Sequence, residues 1–150
     1  MSLVGKQEAD VEIKAPADKF FNILRSEIHH IPNISSDKVH GVEVHEGDWE
    51  TSGSVKLWKF TVDGKTETIK DKVEIDDENK SVTFSAIEGD LFKNYKSYKA
   101  TVNITTTAEG ALAKVTVDYE KLNEDVPAPD KYLDFVLNIL KDVDAHIIKP

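Results

Sequence analysis

The chain predicts an α+β fold: a seven-stranded antiparallel sheet wrapped around a long C-terminal helix, with two short helices after the first strand. Three observations lead there. Five strand-like stretches run back to back from Ser54 to Lys121. Turn residues mark their joints at Asp63-Gly64, Asp76-Asp77-Glu78-Asn79, Glu88-Gly89-Asp90 and Glu109-Gly110. Asp-Gly between alternating stretches is a strong hairpin signal, because a primed turn needs φ > 0 and glycine supplies it without steric cost. A wide apolar helical band then closes the chain.

Residues 5–14 alternate, with Gln7, Ala9, Val11 and Ile13 on one face and Glu8, Asp10, Glu12 and Lys14 on the other. That period marks a half-buried strand. Ala15-Pro16-Ala17-Asp18 starts a helix with proline in its first turn, and Phe20, Phe21, Ile23, Leu24 and Ile28 form its apolar stripe. A short second helix or turn around Ile28–Ile34 is expected to end near Pro32. Val39–Glu46 alternates with His40, Val42 and Val44 together, and 47–53 is a loop.

The strands that follow have clear inward sets. Ser54–Val62 presents Lys56, Trp58, Phe60 and Val62, and Lys65–Ile75 presents Ile69, Asp71, Val73 and Ile75. Ser81–Ile87 presents Val82, Phe84 and Ala86. A strand of about 94–106 presents Tyr98, Ala100, Val102 and Ile104, and one of about 112–121 presents Val115, Val117 and Tyr119. Alternation of this kind means one wet face and one covered face. Pro127-Ala128-Pro129 ends the sheet. Helix 130–148 is about 28 Å long at ~1.5 Å per residue, with Tyr132, Leu133, Phe135, Val136, Leu137, Ile139, Leu140, Val143 and Ile147 in its band.

A length of 150 residues suits one domain spanning 1–150, able to bury a core without disulfide or metal. The chain has no cysteine, which removes thiolate metal sites and cysteine nucleophiles and fits a reducing compartment. Its first residues hold no apolar signal core, and no stretch approaches the ~20 apolar residues of a membrane span. A cytoplasmic location without membrane insertion is expected, so the sequons at Asn33 and Asn103 are read as chance. The net charge of −9 repels phosphate backbones, which argues against a nucleic-acid partner. Lys93, Lys96 and Lys99 are read as a solvated strand face.

Several segments together resemble a known family. They are Gly47-Asp48-Trp49-Glu50-Thr51-Ser52-Gly53-Ser54-Val55-Lys56-Leu57-Trp58, Lys70-Asp71-Lys72-Val73-Glu74 and Ser85-Ala86-Ile87-Glu88-Gly89-Asp90. Leu3-Val4-Gly5-Lys6 and Ala15-Pro16-Ala17-Asp18-Lys19-Phe20-Phe21 fit the same pattern. In this order and spacing the whole chain resembles the plant major latex protein branch of the birch-pollen-allergen-like, pathogenesis-related superfamily. The resemblance implies the helix-grip fold. It also implies an internal cavity for sterols and steroid-like hormones, fatty acids, lysolipids, flavonoids or cytokinins, in a setting of defence, stress response or carriage. Some relatives have enzyme or ribonuclease activity ascribed to them. The chain departs from the pollen-allergen branch in its 47–53 loop, which keeps only Gly47 and Gly53 of a glycine-rich pattern. The lost backbone freedom, with Asp48 and Glu50 in the loop, argues against a phosphate-binding or ribonuclease role.

Alternation alone favours a close-packed interior, whereas the resemblance implies a cavity between sheet and long helix. Its expected lining is Trp58, Phe60, Val82, Phe84, Tyr98, Val102, Val117 and Tyr119 from the strands, with Phe135, Ile139 and Val143 from the helix. Such pockets are mostly apolar with a few placed polar groups. Asp71 is an anomaly on an apolar face and joins the candidate site, since a buried carboxylate must be paired or protonated. Lys56 is its candidate partner, so the pair either orients a polar ligand head or reaches solvent from strand ends. His40 is inward by parity and is read as structural.

Adjacent His29 and His30 point in different directions on a helix and make a poor metal pair. No metal or cofactor is expected. No Gly-x-Ser-x-Gly, Walker or dinucleotide motif is present, and Glu88 is read as a solvated turn residue. The expected function is a monomeric carrier of a hydrophobic or amphipathic molecule, either lipid-like (fatty acid or lysophospholipid) or steroid-like. Entry is expected between the long helix, the short helices and the loops at 63–65 and 88–92. The alternatives are a condensing or hydrolytic enzyme in the same cavity and a ligand-regulated interaction protein.

Overall fold

The computed structural model describes residues 3–149. Strand β1 (Val4–Ile13) is followed by helix α1 (Ala17–Ser26), a 3₁₀ turn (Ile28–His30) and helix α2 (Ile31–Ile34). Then come β2 (Val39–Glu46), β3 (Ser54–Val62), β4 (Lys65–Asp76) and β5 (Ser81–Gly89). A second 3₁₀ turn (Asp90–Lys93) leads to β6 (Tyr95–Thr107), β7 (Gly110–Lys121) and α3 (Asp130–Ile148). The strands form one antiparallel sheet in the order β1-β7-β6-β5-β4-β3-β2. The sequence expectation of an α+β helix-grip fold with seven antiparallel strands holds.

Cross-strand partners share a face, so the register sorts the side chains. The rung Val73, Phe84, Ala100, Val117 and Gln7 faces inward, as does the rung Ile75, Val82, Val102, Val115 and Ala9. The centres of these rungs are the core, where Val82, Val115 and Val117 have no exposed surface.

Two expectations need correction. Pro32 lies in the first turn of α2 and opens that helix rather than ending it, because proline's missing N–H is already unpaired there. His40 faces out, not in. The β2–β3 register shifts between Val39 and Gly41, so Val39 pairs with Phe60 while Val42 pairs with Trp58. A bulge of this kind adds one residue on one strand. It turns Val39 inward and leaves His40 exposed, its Nε2 2.6 Å from Thr61 Oγ1.

Helix α3 is pinned at its C-terminal end by a buried carboxylate. Asp144 Oδ1 accepts from the backbone N–H of Ala15 at 2.9 Å and of Lys14 at 3.1 Å, and its Oδ2 accepts from Lys14 at 3.0 Å. Asp142 adds bonds from Ser35 Oγ and, at 2.8 Å, from Lys38 Nζ. Asp144→Ala leaves the N–H of Ala15 buried without a partner. It is expected to cost about 1–3 kcal/mol in urea denaturation, whereas Asp144→Asn, which keeps an acceptor oxygen, costs less.

Candidate ligand-binding site

The inward face of the sheet and the inner side of α3 do not close completely. Between them lies a cavity of about 130 Å³. From the sheet come Trp58, Phe60, Ile69, Asp71, Phe84, Tyr98, Ala100 and Val102, and from α3 come Tyr132, Phe135, Val136, Ile139 and Leu140. Val39, Leu24 of α1, Ile31 of α2 and Leu91 of the second 3₁₀ turn complete it. Ring contacts brace the walls: Trp58 meets Phe84 edge-on at 6.4 Å, and Phe60 meets Phe135 at 5.1 Å. Trp58, Phe84, Phe135 and Ile139 are only partly buried, although they sit on inward faces.

Of the expected lining, Trp58, Phe60, Asp71, Phe84, Tyr98, Val102, Phe135 and Ile139 meet around this cavity. Val82, Val117 and Val143 do not; each is fully buried in the packed part of the core. Tyr119 is also elsewhere. It pairs with Gly5 across β1 and β7, and a Cβ at Gly5 would lie 2.3 Å from its hydroxyl oxygen, so the ring covers the bare glycine. Tyr119 then meets Tyr95 edge-on at 6.2 Å.

The residues missed have identifiable causes. Ile69 and Ala100 share the inward faces of their strands with core residues, and parity does not separate lining from core there. The bulge hid Val39, and Leu91 lies in a 3₁₀ turn that carries no periodic signal. Tyr132 belongs to the apolar band of α3, and its hydroxyl finds a partner, Glu67, that lies 65 residues away in sequence.

Lys56 and Asp71 are both buried and stand opposite each other on β3 and β4, well inside the ladder. The alternative in which both reach solvent from strand ends is therefore wrong. They nonetheless turn apart. Lys56 Nζ donates to the backbone oxygen of Asp48 at 2.7 Å and lies 5.7 Å from the Trp49 ring centre. Burial pushes the lysine's pKa down, and the charges of Asp71 and Asp48 pull it back. Asp71 Oδ1 accepts from Trp58 Nε1 at 3.2 Å. Desolvation raises its pKa to about 7, opposed by the Trp58 bond and the Lys56 charge. Asp71 is the one ionisable acid or base with a pKa near neutrality in the lining.

The 47–53 loop holds Lys56 rather than an anion. Asp48 Oδ1 accepts from the N–H of Glu50 at 2.9 Å and of Thr51 at 2.7 Å, and these bonds keep its pKa low. Gly47 and Gly53 have φ of +80° and +90°, and a Cβ at Gly47 would meet Ser54 Oγ at 2.2 Å. The loop thus offers Lys56 a carbonyl and an indole face, and its acidic side chain is bound to its own backbone.

A second polar cluster sits under the first turns of α3. The Tyr132 hydroxyl donates to Glu67 Oε1 at 2.6 Å, and Lys131 Nζ lies 3.8 Å from Glu67 Oε2. Burial and the Glu67 bond raise the Tyr132 pKa. Tyr98 packs edge-on against Tyr132 at 5.9 Å. Burial raises its pKa too, and its hydroxyl has no hydrogen bond among the described residues.

Other singled-out residues stay outside the site. The rings of His29 and His30 lie 4.2 Å apart, and Trp49 lies 4.8 Å from His29. Glu27 approaches His30 to 3.8 Å at i, i+3 spacing, but no group of three metal-ligating side chains forms among the described residues. Glu88 is exposed beside Lys70, and Lys93 and Lys96 are exposed beside Asp90 and Glu120. Among the described residues no helix is long and apolar enough to cross a membrane.

Comparison with known proteins matches the architecture. Residues 2–150 match the model of the pathogenesis-related protein Bet v 1 family. MLP-like protein 43 of Arabidopsis thaliana is 42% identical over 98% of this chain and 95% of its own length. The crystal structure of major latex-like protein 151 from Panax ginseng superposes with a TM-score of 0.93 at 39% identity, covering 97% of this chain and 99% of that one. Norcoclaurine synthase from Thalictrum flavum superposes at 0.79 with 16% identity, over 99% of this chain and 89% of its own, which shows a shared fold alone. With the helix-grip architecture and two full-length major latex-like relatives in agreement, the chain belongs to the Bet v 1 family, in its major latex protein branch.

Proposed function

We propose that the protein binds and carries one amphipathic molecule in the cavity under α3, its apolar body within and an uncharged or cationic polar group at Asp71. The observation that carries this is the composition of the lining. It is apolar and aromatic except for the tyrosine hydroxyls, the Trp58 N–H and one carboxyl, and Asp71 Oδ2 has no hydrogen bond among the described residues. Lys56 is turned to Asp48, so no free cation awaits an anionic head. A fatty acid would therefore be held protonated, or with its carboxylate at the mouth. A lysophospholipid would leave its phosphate outside, and a steroid-like ligand would direct a hydroxyl to Asp71.

The volume narrows this further. About 130 Å³ resembles the roughly 150 Å³ cavity that takes a benzene molecule. A slim chain extends such a space by displacing side chains, whereas a rigid four-ring body needs α3 to move out. A linear lipid in a carrier role, in the cytoplasm and in a defence or stress setting, is the reading we favour.

Competition of a fluorescent long-chain probe by an alcohol, a trimethylammonium and a sulfonate of equal chain length tests it at pH 8. The alcohol and ammonium are expected to bind at least about tenfold better than the sulfonate. Asp71→Asn should narrow that gap. Equal affinities in the wild type would reject the head-group assignment. An enzyme reading draws on the near-neutral pKa of Asp71, which suits proton transfer; it requires turnover that disappears in Asp71→Asn.

A further inference from the structure

The sheet is split on one side of the cavity. Strands β5 and β6 pair from Ser81 with Asn103 to Ser85 with Lys99, and the ladder stops there. Both strands run on. β5 continues to Gly89 along β4, and β6 reaches back to Tyr95 along β7. Each lip of the split carries a register irregularity, between Lys70 and Asp71 on the β4–β5 side and between Tyr95 and Ser97 on the β6–β7 side. Bulges bend a strand, and these two lie on the strands that border the unpaired stretch. Unpaired strand edges inside a sheet are uncommon, because their N–H and C=O groups need partners.

A crevice of about 400 Å³ opens at this split, with Ser85 and Ala86 on one lip and Ser97, Tyr98 and Lys99 on the other, and it runs on across β7 and β1 past Asp118, Tyr119, Glu120, Val4 and Gly5. Ile87, the next residue on the β5 lip, is 48% exposed. Tyr98 also lines the inner cavity, so it borders both spaces. No hydrogen bond among the described residues ties its hydroxyl in place. Register puts Asp71 beside Ala86, at the level of the split.

We propose that the gap between β5 and β6 is a portal through which the linear chain of an amphiphile enters the cavity, with the Tyr98 ring as its gate. The chain passes first, and the polar group stops at Asp71 beside the lip. This inference rests on the cavity-binding reading and adds a route to it.

Ile87 and Ser97 lie outside the cavity lining, and the chain has no cysteine. The double variant Ile87→Cys/Ser97→Cys can therefore be bridged with a short bismaleimide, with the same variant capped by N-ethylmaleimide as reference. Stopped-flow mixing with a linear polyene alcohol reads both rates. Bridging is expected to slow association and dissociation together, each by about tenfold or more, while Kd stays within about twofold. Ser97→Trp, an outward position that shades the crevice, should slow both rates in the same way. Rates in the bridged protein and in Ser97→Trp equal to their references would overturn the portal while leaving cavity binding intact. Failure of every form to bind the alcohol would overturn the cavity reading and the portal with it.

Discussion

Asp71→Asn is expected to remove a pH dependence of stability that the wild type shows between about pH 4 and 7. The carboxyl has a pKa of about 7 in the folded protein against 3.8 for the ordinary group. Between those values the folded chain holds a proton that the unfolded chain has released, so stability falls as pH rises. The contribution is fully present below the unfolded value and is lost once pH passes the folded one. A difference of about three pKa units at ~1.4 kcal/mol per unit corresponds to about 4 kcal/mol across the window. Asparagine keeps an acceptor for Trp58 Nε1 and carries no charge at any pH. It also removes a charge that supports buried Lys56, so the net gain at pH 8 is smaller, on the order of 1–2 kcal/mol. The stability difference between variant and wild type, measured by urea denaturation from pH 4 to 8, should grow in favour of the variant. A difference that stays flat would mean that Asp71 is not desolvated as described. Trp58 fluorescence in a Trp49→Phe background should titrate with a midpoint near 7 and lose that titration in Asp71→Asn.

Filling the cavity should abolish binding without unfolding the protein. Ala100 is the smallest lining residue and stands between Phe84 and Val117 on the inward face. Ala100→Phe directs a ring into space that already exists, so apolar burial offsets the crowding. The melting temperature should stay level or rise, while affinity for a long-chain alcohol falls by about thirtyfold or more, roughly 2 kcal/mol. Unchanged affinity in a folded Ala100→Phe variant would place the ligand elsewhere.

Legibility of the sequence followed its periodic signals. Alternation in β3 to β7 carries each side chain to a face, and turn residues locate the hairpins, so the antiparallel sheet and its inward sets are legible in the sequence. The same parity put Trp58, Phe60, Asp71, Phe84, Tyr98 and Val102 together. It failed at His40, where a bulge reversed the expected face, and alternation carries no sign that the β5–β6 pairing stops at Ser85 and Lys99. Parity also cannot separate core from cavity on the same face. Val82 and Val117 point inward like Phe84 and Tyr98, yet they lie in the close-packed rungs. The fate of Lys56 depends on a loop carbonyl eight residues away, and that contact has no periodic trace. The family segments identified the fold and implied a cavity; the lining residues required the curvature of the sheet.

The most direct test of the account is gentle solvent extraction of the protein purified from its native source, with mass spectrometry of the extract. The account predicts one amphiphile in near-stoichiometric amount, linear in its apolar part, which rebinds wild type and fails to rebind Ala100→Phe. An extract without such a molecule, from a protein that also binds no lipid or steroid probe, would contradict it.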